Sequence, residues 1–178
     1  PVFHPTFEPT GGPVGKIIRA ALRNDPPLLP ETLARLFAAD RGEHLYGPGG
    51  ILERTGRGEL VASDRYVLSS LAYQGIACGE ELPRTLNAPF PFPELLLFFD
   101  LDPRIAVERL QNRPALEIYE YRDFQEKVRA RCHALLPAFQ SAGVRVEVID
   151  ASRTVEAVAE SVWRAVENMP ILKQGKSK

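Results

Sequence analysis

Residues 59–75, Glu-Leu-Val-Ala-Ser-Asp-Arg-Tyr-Val-Leu-Ser-Ser-Leu-Ala-Tyr-Gln-Gly, constrain this chain more than any other stretch. Leu60-Val61-Ala62 is a short apolar run of the kind a buried parallel strand shows, and Leu68, Leu71 and Ala72 then recur at helical spacing. That order puts Asp64 and Arg65 at the carboxyl end of a strand, opening a helix, where open α/β sheets bind their ligands. An acid beside a guanidinium there suits an anionic, metal-bearing substrate. Arginine forks onto phosphate, and the aspartate holds the cation or takes the proton of an incipient nucleophile. The same pair also serves as a strand-end salt bridge, the commoner use of such charges.

The rest of the chain repeats the alternation. Residues 1–7 read as a strand running into the Glu8-Pro9-Thr10-Gly11-Gly12-Pro13 turn. Pro13 suits a first helical position, and Ile17, Ile18, Ala21 and Leu22 give an apolar stripe to about Arg23. A second helix starts near Pro30 with Leu33, Leu36, Phe37 and Leu45 inward, and Gly47-Pro48-Gly49-Gly50 breaks it. A third short helix runs to about Gly56, and a further helical turn is expected around 80–87. Leu95-Leu96-Leu97-Phe98-Phe99 is apolar on both faces, which predicts a central strand covered by helices on both sides. Asp102-Pro103 caps and starts the next helix, residues 112–121 read as a loop or lid, and a long helix occupies roughly 122–142. Residues 144–149 alternate as a strand, and a last helix, capped by Asp150 or Ser152, runs to about Asn168. Strands alternating with helices predict an α/β fold, a central parallel sheet between helical layers. It is expected as one domain over 1–170, with 171–178 as a disordered tail.

Several groups could carry chemistry on that scaffold. Phe37 and Arg41 are four apart on one helix, so they share a face. A ring with a guanidinium one turn on can stack a base and donate to its edge, though a helical Phe is usually core and Arg41 could pair with a carboxylate. Arg65, Ser69, Ser70, Tyr73 and Gln74 put donors and one ring along a second helix, an arrangement for a nucleotide with phosphate at the N-terminal end. A partly solvated helix face would look the same. Arg109 and Arg113 suit lid arginines that stabilise charge on a transferred phosphoryl group, or a solvated helix end. Asp150-Ala151-Ser152-Arg153 is either a capped helix start or the loop under an adenine ring.

Phosphoryl transfer on such a fold normally uses a phosphate-binding Gly-x-x-x-x-Gly-Lys-Ser/Thr loop, and none is present. Gly11 to Lys16 has its glycines one residue too close and Ile17 where a hydroxyl belongs, and Gly175-Lys176-Ser177 has Pro170 in place of the first glycine. The net charge of −1 argues against general binding to nucleic acid or a membrane surface, so a phosphate must be met by local arginines. Cys78 and Cys132 match no metal or redox spacing, which fits a reducing cytoplasm, and His4, His44 and His133 give no ligand pattern.

These residues together resemble thymidylate kinase, in order and almost end to end. The pattern is carried by Phe7-Glu8-Pro9-Thr10-Gly11-Gly12-Pro13, by Leu-Phe-Ala-Ala-Asp-Arg at 36–41, and by Ser-Asp-Arg-Tyr, Ser-Ser and Ala-Tyr-Gln-Gly within 63–75. Asp-x-Asp-Pro at 100–103, Ala106-x-Glu-Arg-Leu110 and Ile149-Asp-Ala-Ser-Arg153 complete it. The resemblance implies a three-layer P-loop kinase-like fold and transfer of a phosphoryl group from ATP to dTMP with Mg2+, by a homodimer. It implies that Phe37 stacks on thymine, Arg41 bonds its carbonyl edge, and Ser70 and Gln74 lie beside it. Tyr73 would close under the sugar, Pro9, following Glu8 on the substrate side, would wall the 5-methyl pocket, and Arg65 would bind the dTMP phosphate. Asp64 would sit near the metal, Arg109 and Arg113 in the lid, and Ala151, Ser152 and Arg153 at the adenine. Many bacterial members carry Arg where Phe7 stands here. The family's first strand and P-loop would lie upstream of Pro1, so the chain as written is expected to bind dTMP poorly and not to turn over ATP. Another nucleotide or nucleoside kinase of the same fold, or a non-catalytic dimeric relative, are the rival expectations.

Overall fold

The computed structural model describes residues 1–110 and 121–173, with the side chains of 107–110 and 173 outside the description. In order the elements are β1 (Phe3–Phe7), α1 (Pro13–Leu22), α2 (Pro30–Tyr46), α3 (Ile51–Gly56), β2 (Leu60–Asp64), α4 (Val67–Cys78) and α5 (Glu81–Asn87). Then follow β3 (Leu95–Asp100), α6 (Pro103–Leu110), α7 (Arg122–Ser141), β4 (Arg145–Asp150), α8 (Val155–Val166) and α9 (Pro170–Lys173). The chain is thus α/β with parallel strands flanked by helices, as the alternation of periods predicts. The elements fall into two units, one of Val2–Pro91 holding β1 to α5, the other holding β3 to α9.

In the first unit β1 and β2 pair in parallel, Phe3 opposite Leu60 and Phe7 opposite Asp64. Helix α1 starts at Pro13, whose missing N–H is no loss at a first helical position. Its inner face is Gly15, Ile18, Ala21 and Leu22. Ile17, predicted inward, is half exposed, because it lies about 100° round the helix from Ile18. Ile18, Ala21 and Leu22 meet Leu33 of α2 in the core of this unit, with Val14, Leu28, Leu36 and Phe37 packed at its edge. α2 starts at Pro30 and stops at Gly47, as expected.

In the second unit β3 and β4 pair in parallel from Leu95–Arg145 to Asp100–Asp150. The described residues do not show β3 as the doubly covered central strand that its composition suggests. Among the described residues it has a ladder on one side only, so only Leu96 is buried and Phe99 remains 49% exposed. The core of this unit comes from α7, through Val128, Cys132, Leu135, Leu136 and Phe139, with Val144 and Ile149. Gly143, at φ 87°, supplies the left-handed residue that ends α7. Asp102 caps α6 as expected, its Oδ1 accepting the Arg104 N–H at 2.9 Å. α8 is capped by neither Asp150 nor Ser152. Thr154 Oγ1 accepts from the Ala157 N–H at 3.3 Å, and Asp150 instead closes the preceding turn. The expected tail begins with the helical turn α9, and 174–178 lie outside the described residues. No described helix is long and apolar enough to cross a membrane.

Arg129 and His133, one turn apart on α7, both reach Asp100 at the end of β3. Arg129 Nε and Nη2 donate to its two oxygens at 2.6 and 2.9 Å, and His133 Nε2 lies 3.2 Å away. The Arg129 bond holds the Asp100 carboxyl below its ordinary value of 3.8, against the upward push of burial. A carboxylate with a lowered pKa in the folded state stabilises the fold above its unfolded pKa, and that stability is lost as pH falls through the folded value. Asp100→Asn should therefore cost about 0.5–1 kcal/mol near pH 7 after solvent screening of the half-exposed arginine. The gap from wild type should narrow steadily as pH falls below the ordinary aspartate value of 3.8, and urea unfolding at neutral and at acidic pH reads it. A gap independent of pH would refute the ion pair's part.

Candidate active site

β1 runs out at Phe7, and the Glu8 N–H is held on the Asp64 carbonyl at 3.0 Å, so the Glu8–Gly12 loop leaves beside the end of β2. Two helices fix that loop. Asp40 of α2 accepts from the Thr10 N–H at 2.6 Å and from its hydroxyl at 2.7 Å, and Arg19 of α1 donates to the Pro9 carbonyl at 2.6 Å and to that of Thr10. Gly15 packs directly against the Thr10 backbone.

Arg41 is the centre of the arrangement. It is 1% exposed, and it meets Glu8, which is 4% exposed. Nε and Nη2 donate to one oxygen of Glu8 at 3.0 and 2.6 Å, Nη2 also donates to Ser70 Oγ at 3.1 Å, and Nη1 donates to Asn87 Oδ1. An arginine has five N–H donors, so one on Nε, two on Nη2 and one on Nη1 leave a single donor, on Nη1, without a partner among the described residues. The rings of Tyr66 and Phe90 lie 5.0 and 5.7 Å from the guanidinium carbon, close enough for cation–π attraction. Burial pushes the Tyr66 phenol above its ordinary value of 10.0, against the pull of Arg41, and its hydroxyl donates to the Pro91 carbonyl at 2.8 Å. Glu8 gives its other oxygen to His44 Nδ1 at 3.1 Å, and His44 Nε2 lies 2.7 Å from Thr6 Oγ1.

Ser70 and Gln74 are both buried and four apart on α4, so they share the face that α4 turns to Arg41. Gln74 is 2% exposed and its Oε1 has no hydrogen-bond partner among the described residues. A buried amide oxygen left unpaired costs roughly 1–3 kcal/mol, which a ligand N–H would recover. Phe37 is half-buried on α2, one turn before Arg41. Asp64, exposed, ends β2. Arg65 does not open the helix as expected. It sits in the left-handed region at φ 72°, with its carbonyl accepting from Ser63 Oγ at 2.8 Å, and α4 begins at Val67. A non-glycine residue held there costs on the order of 1 kcal/mol, and such strain clusters at active sites and ligand clamps. Its guanidinium lies 5.1 Å from the Tyr73 ring.

A sequence model described as thymidylate kinase matches residues 2–162, nearly the whole chain. The chain belongs to the thymidylate kinase family. A Treponema pallidum protein named among the thymidylate kinases is 42% identical over 165 residues, covering 88% of this chain and 77% of that one. A Pyrobaculum aerophilum protein named likewise is 38% identical, covering 95% and 85%. A thymidylate kinase of Thermomicrobium roseum is 36% identical, covering 96% and 82%.

Within this thymidylate kinase-family chain, the first unit thus brings Glu8, Arg41 and Ser70 into contact and sets Arg65 against Tyr73. Ala151, Ser152 and Arg153 form the turn after β4 in the second unit. There Ser152 is engaged, its N–H and hydroxyl donating to Asp150 Oδ1 at 3.0 and 2.6 Å, which lowers the Asp150 pKa. Arg113 lies outside the described residues, as does the side chain of Arg109. Sequence reasoning missed Asn87, His44, Asp40, Thr10 and Tyr66. Asp40 stands beside Arg41 in the quoted 36–41 motif, which is a signal; Asn87 had none.

Proposed function

We propose that this protein transfers the γ-phosphoryl group of ATP to dTMP, giving dTDP and ADP for dTTP synthesis, as a cytoplasmic homodimer. The observation that carries the reading is the buried Arg41 with one N–H unspent, in a family named for thymidylate and near a buried, unpaired Gln74 oxygen. Thymine offers a complementary edge, a 4-carbonyl to accept and an N3–H to donate. Phe37 stacks on the ring, Arg41 donates to the 4-carbonyl, and Gln74 accepts from N3–H. Ser70 and Glu8 act through Arg41, Pro9 walls the 5-methyl group, and Tyr73 closes under the sugar. Arg65 binds the dTMP phosphate.

Mg2+ fits the donor set at Asp64, because magnesium is commonly held by one or two carboxylates plus substrate phosphates. No cluster of three or more acidic, histidine or cysteine groups able to hold a metal occurs among the described residues. Bound Mg2+ would supply charge neutralisation on the phosphates. Ala151, Ser152 and Arg153 serve the adenine, and Arg109 and Arg113 the lid. Catalysis on this reading is positioning plus neutralisation of charge in an in-line transfer, with no covalent intermediate.

The test is nucleotide-dependent ADP release by the intact protein with dTMP, UMP and dCMP. Release selective for dTMP is the expected result; equal release with all three overturns the reading, as does no release from a polypeptide that also carries the phosphate-binding loop this sequence does not contain. Phe37→Ala should raise the KM for dTMP at least tenfold, since base–aromatic stacking contributes roughly 1–3 kcal/mol. An unchanged KM would remove the stacking role.

A further inference from the structure

Asn87, the last residue of α5, is 6% exposed and accepts from Arg41 Nη1, the guanidinium nitrogen that Glu8 does not engage. Its amide has one usable orientation. Nδ2 donates to the Pro83 carbonyl at 2.7 Å, one turn back on the same helix, so Oδ1 faces the guanidinium and accepts from Nη1. A flipped amide would set donors against donors and a carbonyl against a carbonyl.

The Glu8 contact alone does not fix how the guanidinium is turned. Both of its donors, Nε and Nη2, converge on the same carboxylate oxygen. One acceptor oxygen is a pivot, whereas a bidentate pair on two oxygens is a clamp. Ser70 steadies the Nη2 side at 3.1 Å, the long end of the range for a hydroxyl contact. Asn87 is the group on Nη1, the nitrogen whose second N–H has no partner among the described residues. With one Nη1 hydrogen fixed on Asn87, the planar guanidinium leaves the other a single direction.

We propose that Asn87 is a specificity-positioning residue: it fixes the rotation of Arg41 so that the free Nη1 N–H meets an acceptor at the pyrimidine 4-position. A 4-carbonyl satisfies that N–H. A 4-amino group opposes donor to donor, and a site built on a buried hydrogen bond rejects such a base strongly. Without Asn87 the guanidinium swings about its Glu8 pivot, and the rejected base regains a tolerable arrangement. This inference rests on the dTMP reading and adds the residue that sets its base selectivity.

The experiment compares Asn87→Leu, similar in volume but without the acceptor, and Asn87→Asp, which retains an acceptor, in the intact protein. Steady-state kinetics with dTMP and dCMP are read beside thermal stability. Asn87→Leu should raise the KM for dTMP about tenfold with kcat changed less than about twofold, the loss expected for one charge-assisted hydrogen bond. The dTMP-over-dCMP preference in kcat/KM should shrink about tenfold, and Asn87→Asp should keep most of it. A folded Asn87→Leu with wild-type preference overturns the assignment, even if its stability has dropped. Should Asn87→Leu fail to fold, Asn87→Asp decides, since loss of preference there overturns it equally. A wild-type protein without preference for dTMP would instead defeat the functional reading itself.

Discussion

Arg41→Met should destabilise the protein by about 3–5 kcal/mol, the range for removing one partner of a buried ion pair. The cost comes less from the lost contacts than from what stays behind. Glu8, 4% exposed, would keep a carboxylate whose remaining hydrogen-bond partner among the described residues is His44. Asn87 Oδ1 would lose its donor as well. Arg41→Met combined with Glu8→Gln removes both charges and should recover most of the lost stability, because a neutral pair of similar volume carries no uncompensated charge. It should not recover dTMP use, because the donor for the 4-carbonyl is gone. Urea unfolding and the KM for dTMP, measured on the single and double variants, separate the two roles. A single variant losing less than about 1 kcal/mol would contradict the burial of this pair.

Gly15→Ala should also be destabilising, against the usual helical preference for alanine over glycine. Alanine in a helix interior gains roughly 0.5–1 kcal/mol over glycine, and part of that gain would be expected at Gly15, the third residue of α1. At this position an added Cβ overlaps the Thr10 carbonyl and the backbone next to it. The Thr10 segment has little room to yield, because Asp40 holds its N–H and hydroxyl and Arg19 holds the Pro9 and Thr10 carbonyls. Overpacking against such a backbone typically costs about 1–3 kcal/mol, so the net change should be a loss. Because the same loop carries Glu8 and Pro9, dTMP affinity should fall with it. Thermal unfolding and dTMP binding on Gly15→Ala test this; a variant more stable than wild type would mean that α1 can slide away from the loop.

Much of this molecule was legible from periodicity. Pro13 and Pro30 marked helix starts, Gly143 a helix end, and the 3.6-residue stripes the inner faces of α1 and α2. The apolar runs at 60–62 and 95–99 marked the strands, and the motif at 63–75 carries much of the family resemblance. These are local signals, settled by residues within one or two turns of each other. Where the forecast failed, the cause was not local. Leu95 to Phe99 read as a doubly covered strand, but coverage depends on neighbours that an apolar run does not specify. Asp150 and Ser152 both suit a cap, and the chain used Thr154 because Asp150 had already closed the turn onto Ser152.

The candidate site divides in the same way. The sequence by itself determined which residue types are present at helical spacing, Phe37 with Arg41 and Ser70 with Gln74, and the tie between Asp64, Arg65 and a strand end. Only the tertiary structure decided that Arg41 is buried on Glu8, Ser70 and Asn87, from partners 33, 29 and 46 residues away. It also turned His44, which matched no ligand spacing, into the second partner of Glu8. The physical reason is that helical period fixes only which side chains share a face. Which of five donors on a guanidinium is left for a ligand depends on how β1, α2, α4 and α5 pack together.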